Sequence, residues 1–407
     1  MKINKSTLNW SDYVFPMIII AIMFTILGFA IGINAFFVPF LKKAFNITTA
    51  MSYLVTTATF SAFVLLGIPS GKILELIGYK KSMALSFILM CVGMLLIVPA
   101  AKRYSFPLFL FALFVNGMGL TILNTAINPY ITILGPENSA VKRISIMGTC
   151  NKLSFGLAPI ILAIFMNTSD IQLNDAITPF YFISAILSVL GVLSYLAPLP
   201  EIKAIGEDEF ETGDTSVYAN SKSSIFQFPH LLLGALAIFL YVGVETIALV
   251  SINDYAIEIG LPSPEKFAFL TSAGYVLGYS LGILLIPKFI SQINTLKIWA
   301  ILGIISSLMI VLLPGNISIF FVASLGFANS LIWPAIWPLA LADLGKFTKV
   351  GSSLLVTGIA GGGLIPPVLG LLKDYSSYQQ AYWILLPAYV FFLYYAVKGY
   401  KLRSKNV

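Results

Sequence analysis

Two charged side chains stand where an apolar run should not hold them. Lys152 lies in GTCNKLSFG, residues 148–156, between RISIM and LAPIILAIF. Glu245 lies in YVGVET, residues 241–246, inside another apolar run. A charge at the centre of a bilayer costs about 2.5–3.5 kcal/mol on insertion scales, so such residues are functional candidates by default. A carboxyl group there can bind and release a proton or hold a cation; the bland alternative is a hydrogen bond to a neighbouring helix. An ammonium group there can hold an anion, serve as a built-in counter-charge or proton carrier, or be structural, paired or snorkelling. Neutral groups recur beside them. Asn116, Asn124 and Asn128 follow one another at multiples of four, as do Asn329, Trp333 and Trp337, so each set shares one helical face. Asn34 and Asn151 extend the amide inventory. Indole faces beside amides suit a sugar, whose C–H face packs on the ring while the amides exchange hydrogen bonds with hydroxyls. The alternative for each is that asparagines join helices and tryptophans fill space.

The elements that must position these groups are membrane helices. The chain has 407 residues, of which 58% are hydrophobic and 10% charged, with mean hydropathy +0.92. Soluble domains carry about 25% charged residues. A helix crosses the hydrocarbon core in about 20 apolar residues. Such runs fall at 14–40, 50–71, 82–100, 106–134, 144–166, 178–199, 229–252, 267–290, 296–314, 317–342, 351–372 and 379–398, twelve in all. The first is too long for a signal-peptide core and is expected to stay as a membrane helix. Between the sixth and seventh lies EIKAIGEDEFETGDTSVYANSKSSIFQF, acidic and poorly hydrophobic, which reads as a flexible linker. The expected organisation is a six-helix half over residues 1–200, a cytoplasmic linker over 201–228 and a second six-helix half over 229–407. Two such halves suggest a transporter built from repeats, with a site near the midplane where they meet.

Charge sets the orientation. With both termini and the even-numbered loops in the cytoplasm, that side holds 17 of the 24 Lys and Arg residues and the other side six. The asymmetry predicts both termini inside. The residue left over is Lys152. It lies about eight residues into its span, roughly 12 Å deep; Asn124 is roughly 16 Å and Glu245 roughly 24 Å into theirs. A direct Lys152–Glu245 pair would have to bridge one or two helical turns. Gly148 and Gly156, one turn either side of Lys152, are expected to leave room for its long side chain. The basic residues are scattered through short loops, which argues against nucleic-acid binding. Cys91 and Cys150 offer no disulfide framework or metal spacing, and His230, at the start of span seven, reads as an interfacial residue. A monomer without cofactor and without enzymatic activity is expected.

Three motifs carry a family resemblance. GKILELIGYKK, residues 71–81, resembles the signature loop of the major facilitator superfamily, with Gly71, Glu75, Gly78, Lys80 and Lys81 at its positions and Glu in place of the usual Asp. Its physical logic is a tight turn and a charge network at helix ends, a conformational switch. NTAINPYITILGPE, residues 124–137, and NSLIWPAIWPLALADLGKFTKVGSSLLVTGIAGGGLIPPVLG, residues 329–370, resemble the fucose and glucose/galactose permeases within that superfamily, and YVGVET adds to the likeness. The resemblance implies an all-α fold of twelve transmembrane helices in two pseudo-symmetric halves. It implies a secondary transporter of a hexose or related sugar in the inner (plasma) membrane, working by alternating access.

The chain departs from that pattern twice. Fucose-type members carry carboxylates where this sequence has Ala35 and Asn124. Coupling through those two is excluded, which leaves Glu245 as the candidate for H+ or Na+, or leaves an uncoupled facilitator. Family members tend to have a small polar residue where this chain has Lys152. Import of a hexose coupled to a cation is the expectation; a symporter of an anionic sugar derivative using Lys152, or a sugar sensor that does not transport, are the alternatives. In span eleven GIAGGGLIPP, residues 358–367, is a weak helix and reads as a close-packing or hinge segment.

Overall fold

The apolar runs do form long helices. The computed structural model describes residues 10–47, 51, 54–165, 173, 177–200, 218–262 and 265–403, except for the side chains of 10–13, 34–40, 42–43, 159, 163–165, 265 and 268. Span one is Trp10–Ala44, four is Phe106–Ile133, five is Ala140–Phe165, six is Ile177–Leu196, seven is Pro229–Val250 and nine is Gln292–Leu312. Spans two and three run together as Leu54–Lys102, 49 residues, about twice what one crossing needs. Gly78 divides them with φ 78° and ψ 175°, a region essentially reserved for glycine. Span eight is Glu265–Leu285, whose apolar part is Phe269–Leu285. Counted this way, the twelve expected spans are all represented.

The last three spans are interrupted where the sequence is weak. Span ten breaks at Leu331 into Gly315–Ser330 and Ile332–Leu341, just before Trp333-Pro334 and Trp337-Pro338. Span eleven changes to a 3-10 turn at Gly358–Ala360 between Thr348–Thr357 and Gly361–Tyr375. Span twelve is Tyr378–Ala381, a 3-10 turn at Tyr382–Ile384, then Leu385–Val397.

The chain forms two compact units. The first comprises Met1–Tyr130 with Cys150–Ile202. Here span one lies against the later turns of span five through Gly28 and Gly32, a small-xxx-small spacing that lets backbones approach. A Cβ at Gly28 would collide with the Asn151 carbonyl, and one at Gly32 would lie 2.5 Å from the Phe155 carbonyl. Asn151 Nδ2 donates to Phe24 O at 3.2 Å and Ser154 Oγ donates to Thr25 O. The hydroxyls of Ser70 and Thr125, 2.6 Å apart, join spans two and four.

The second unit comprises Ile131–Thr149 with Lys203–Val407. Glycines again permit the contacts. A Cβ at Gly326 would strike Thr271 O, and one at Gly361 would strike Phe239 O, which sets span ten on eight and eleven on seven. Trp299 Nε1 donates to Phe327 O and Ser330 Oγ, both at 3.0 Å, and holds span nine on ten.

One sequence expectation changes. The linker is not flexible throughout: among the described residues, Tyr218 to Phe228 are ordered, with Ala219 and Phe228 fully buried and Ile225 nearly so. Apolar side chains at its C-terminal end give it a surface to dock, which its acidic stretch lacks; residues 201–217 lie outside the described part. His230, at the start of span seven, is fully buried, its Nε2 2.9 Å from Ala342 O, while the Tyr395 hydroxyl donates to its carbonyl.

Candidate functional site

In the first unit the amide stripe of span four is fully internal. Asn116, Asn124 and Asn128 are all buried, at 0, 4 and 1% exposure. Asn124 Nδ2 donates to Leu120 O at 2.9 Å, and Asn128 Nδ2 donates to Asn124 O at 3.0 Å and Asn124 Oδ1 at 3.2 Å. The amides of Asn124 and Asn128 are therefore each tied one turn back on their own helix. Asn116 has both polar atoms buried without a hydrogen-bond partner. Asn151 is engaged by Phe24 as described, so its amide joins spans one and five. Asn34 falls on residues whose side chains lie outside the described part.

Lys152 is half-buried. Span five starts at Ala140, so Lys152 is roughly 18 Å along the helix, deeper than the sequence count. Its ammonium lies 5.9 Å from the centre of the Phe155 ring, a cation–π contact. The room expected at Gly148 is taken: a Cβ there would lie 2.7 Å from the ring of Tyr279. The spacing of glycines along a helix says nothing about which neighbour fills the gap. Gly156 does face open space.

In the second unit a polar cluster surrounds Glu245, which is half-buried, roughly 24 Å along span seven. Tyr241 Oη donates to Glu245 Oε1 at 2.7 Å. Tyr275, Tyr279 and Tyr389 lie within electrostatic reach of the carboxylate. Tyr389 Oη donates to Asn329 Oδ1 at 2.7 Å. The rings of Tyr241 and Trp333 are 5.8 Å apart and those of Trp333 and Trp337 are 5.4 Å apart. Glu245, Asn329, Trp333 and Trp337 thus share one neighbourhood built from spans seven, eight, ten and twelve. Asn329 Nδ2 and Trp337 Nε1 are buried in it without a hydrogen-bond partner. An unmet buried donor costs about 1–3 kcal/mol.

Sequence reasoning missed the four tyrosines. Tyr241 was legible, four residues before Glu245 and hence on its face. Tyr275 and Tyr279 share a face at the same spacing, but no local signal aims that face at Glu245. It also missed Arg143, read as an ordinary loop cation. Arg143 is buried and donates from Nε to Ile131 O at 3.1 Å, Nη1 to Pro136 O at 2.7 Å and Nη2 to Thr132 O at 2.8 Å. It caps the end of span four, where carbonyls lack intrahelical partners. Within the signature loop, Gly78 makes the required turn, Gly71 is buried and Glu75 and Lys81 are exposed. Among the described residues no group of three His, Cys, Asp or Glu side chains is gathered as a metal site.

The model of the Major Facilitator Superfamily matches residues 19–365. The chain belongs to that superfamily. As a member it is a membrane transporter and not an enzyme. It is 29% identical to the glucose/galactose transporter of Brucella abortus biovar 1 (strain 9-941), over 98% of this chain and 97% of that one. It is 31% identical to a putative glucose/galactose transporter of Helicobacter pylori (strain J99 / ATCC 700824), over 94 and 96%. The L-fucose-proton symporter of Escherichia coli (strain K12) is 26% identical over 91 and 90%. The fold matches the crystal structure of the superfamily transporter FucP in the outward conformation with TM-score 0.83, at 24% identity, over 97% of this chain and all of that one.

Proposed function

We propose that this superfamily member is a secondary active transporter that imports a neutral hexose or closely related sugar by alternating access, coupled to a cation at Glu245. The observation that carries the reading is the neighbourhood of one half-buried carboxylate, four tyrosines, two adjacent tryptophans and Asn329 inside a membrane-spanning unit. Trp333, half-buried, offers a face to a sugar ring, and Asn329 and Trp337, assigned to the same site, lie fully buried beside it. Asn124 and Asn128 in the first unit are the further amides assigned to sugar. The likeness to transporters named for glucose, galactose and L-fucose along the whole chain supports this substrate class.

Glu245 is the coupling site because the two carboxylates expected from the fucose-type pattern are replaced by Ala35 and Asn124. A proton is the favoured ion: a tyrosine donor on the carboxylate offers no extra oxygen charge to a sodium ion. Gly71, Glu75, Gly78, Lys80 and Lys81 serve as the conformational switch of the signature loop. The halves are residues 1–200 and 229–407 with the linker 201–228, and both termini face the cytoplasm from the inner membrane. Proteoliposomes containing the purified protein test the reading: D-glucose, D-galactose or L-fucose should exchange across the membrane, and binding without exchange would leave only a sensor.

A second reading has its own support in Lys152, a cation half-buried in mid-span. It would hold the charge of an anionic sugar derivative, and a sugar acid competing better than its neutral parent would favour it.

A further inference from the structure

The charge and hydropathy pattern divides the chain at the linker, yet the start of span five packs with the second half. Residues 131–149 belong to the same compact unit as residues 203–407. A pair of hydrogen bonds and a strip of small residues fasten them there.

The hydrogen bonds come from one side chain. Span nine begins at Gln292, and Ser291 caps it, its Oγ accepting from Asn294 N at 3.3 Å. The Gln292 side chain is left to reach across to span five. Its Oε1 accepts from Val141 N at 3.2 Å, and its Nε2 donates to Glu137 O at 3.0 Å. The first N–H groups of a helix lack partners within it, and Val141 is the second residue of span five. One primary amide thus meets both a donor and an acceptor at the turn between spans four and five. No charge takes part, because the amide and both backbone groups are neutral.

The strip lies one turn further in. Ser145 and Gly148, on one face of span five, meet Gly282 and Tyr279, on one face of span eight. A Cβ at Gly282 would lie 3.1 Å from Ser145 Oγ, and one at Gly148 would lie 2.7 Å from the Tyr279 ring. Small residues let helix backbones approach closely.

We propose that Gln292 is a latch for transport: its amide holds span five on the second half while the end that the charge count places in the cytoplasm is closed, and both bonds break each time that end opens. Alternating access requires the halves to part there once in every cycle. Gln292 is half-buried and Glu137 exposed, so water takes over the two backbone groups and the latch opens at small cost. An ion pair in the same place would weaken with salt; a neutral amide does not. The inference rests on the proposed alternating access, and on neither the sugar nor Glu245.

Opening is measured by alkylation of Ser145→Cys with N-ethylmaleimide, in a Cys150→Ser background. Ser145 is fully buried and Cys91 is buried in span three, so Cys91 serves as the internal reference. A side chain in a closed contact reacts in proportion to its open fraction. Gln292→Met keeps the bulk and loses both bonds; it should speed alkylation at 145 about tenfold, the scale of one or two net hydrogen bonds, with Cys91 unchanged. Gln292→Glu, which keeps the acceptor alone, should fall between. With Gln292 in place the rate should change less than about twofold between about 0.1 M and about 1 M NaCl. A rate unaltered by Gln292→Met, equal acceleration at Cys91, or a steep rise with salt would overturn the latch. A second variant tests the need to open. The 3.1 Å between a Cβ at 282 and Ser145 Oγ suits a disulfide, so Ser145→Cys with Gly282→Cys, in a Cys91→Ser and Cys150→Ser background, should stop exchanging sugar in proteoliposomes when oxidised and recover when reduced. Exchange by the oxidised protein would also overturn the proposal. If none of D-glucose, D-galactose and L-fucose moves even in the reduced form, the alkylation rates still decide the latch and the sugar assignment alone falls.

Discussion

Tyr241 gives its hydroxyl proton to Glu245, one helical turn further along span seven, at 2.7 Å. That bond joins a residue whose ring lies 5.8 Å from that of Trp333 to a half-buried carboxylate of span seven. It places the proposed coupling carboxylate and the aromatic rings proposed to meet the sugar within one small region.

Trp333 is half-buried and lies in tilted ring contact with both Tyr241 and Trp337. Trp333→Ala removes the surface on which a sugar ring would pack. Hexose affinity should fall about tenfold, or about 1.4 kcal/mol, in equilibrium binding by the purified protein. Unaltered affinity would return Trp333 to a packing role.

Lys152 divides the neutral and anionic substrates. If the substrate is a neutral hexose, Lys152→Ala should leave its competition profile unchanged within a factor of about three, the usual scatter of a substitution that touches no ligand. If a sugar acid is the substrate, the same variant should lose that competitor selectively. Competition of sugar acids against labelled hexose in proteoliposomes separates the two.

Arg143 is a structural residue in a transporter loop. Arg143→Ala leaves the carbonyls of Ile131, Thr132 and Pro136 without its donors, a loss on the order of 2–4 kcal/mol. Thermal unfolding in detergent should show a clear drop, whereas Lys142→Ala, at the neighbouring position, should change little. Equal effects would contradict the capping role.

Gly78 holds a backbone geometry that other residues avoid. Gly78→Ala should cost about 1–3 kcal/mol, seen as a lower melting temperature together with slower exchange. If melting falls and exchange does not, the turn serves stability alone and the switch assignment of the loop is lost.

The spans, the superfamily and the turn at Gly78 were legible in the sequence because each is local: a run of apolar residues, a motif, a glycine where only glycine fits. The burial of the Asn116, Asn124 and Asn128 stripe was legible too, since an amide facing lipid would be unmet. The tyrosine cluster was not. Tyrosine carries no charge signal in an apolar run, and only packing brings Tyr275, Tyr279 and Tyr389 to Glu245. Gly148 misled for the same reason: its missing side chain implied space, and a ring from span eight fills it. The end of the linker was misjudged because burial depends on partners: Phe228 packs against the ring of Phe347. Arg143 was counted by its charge, although its donors serve the end of a helix.

The central claim is that a sugar is driven by a cation bound at Glu245. The measurement that bears on it most directly is accumulation of labelled D-galactose, D-glucose or L-fucose in proteoliposomes under an inward proton gradient, or a sodium gradient, for the wild type and for Glu245→Gln. The account predicts that the wild type accumulates at least one of the three and loses it when the proton gradient is dissipated, while Glu245→Gln exchanges that sugar without accumulating it. Accumulation by Glu245→Gln equal to the wild type, or no movement of any of the three sugars, would contradict it.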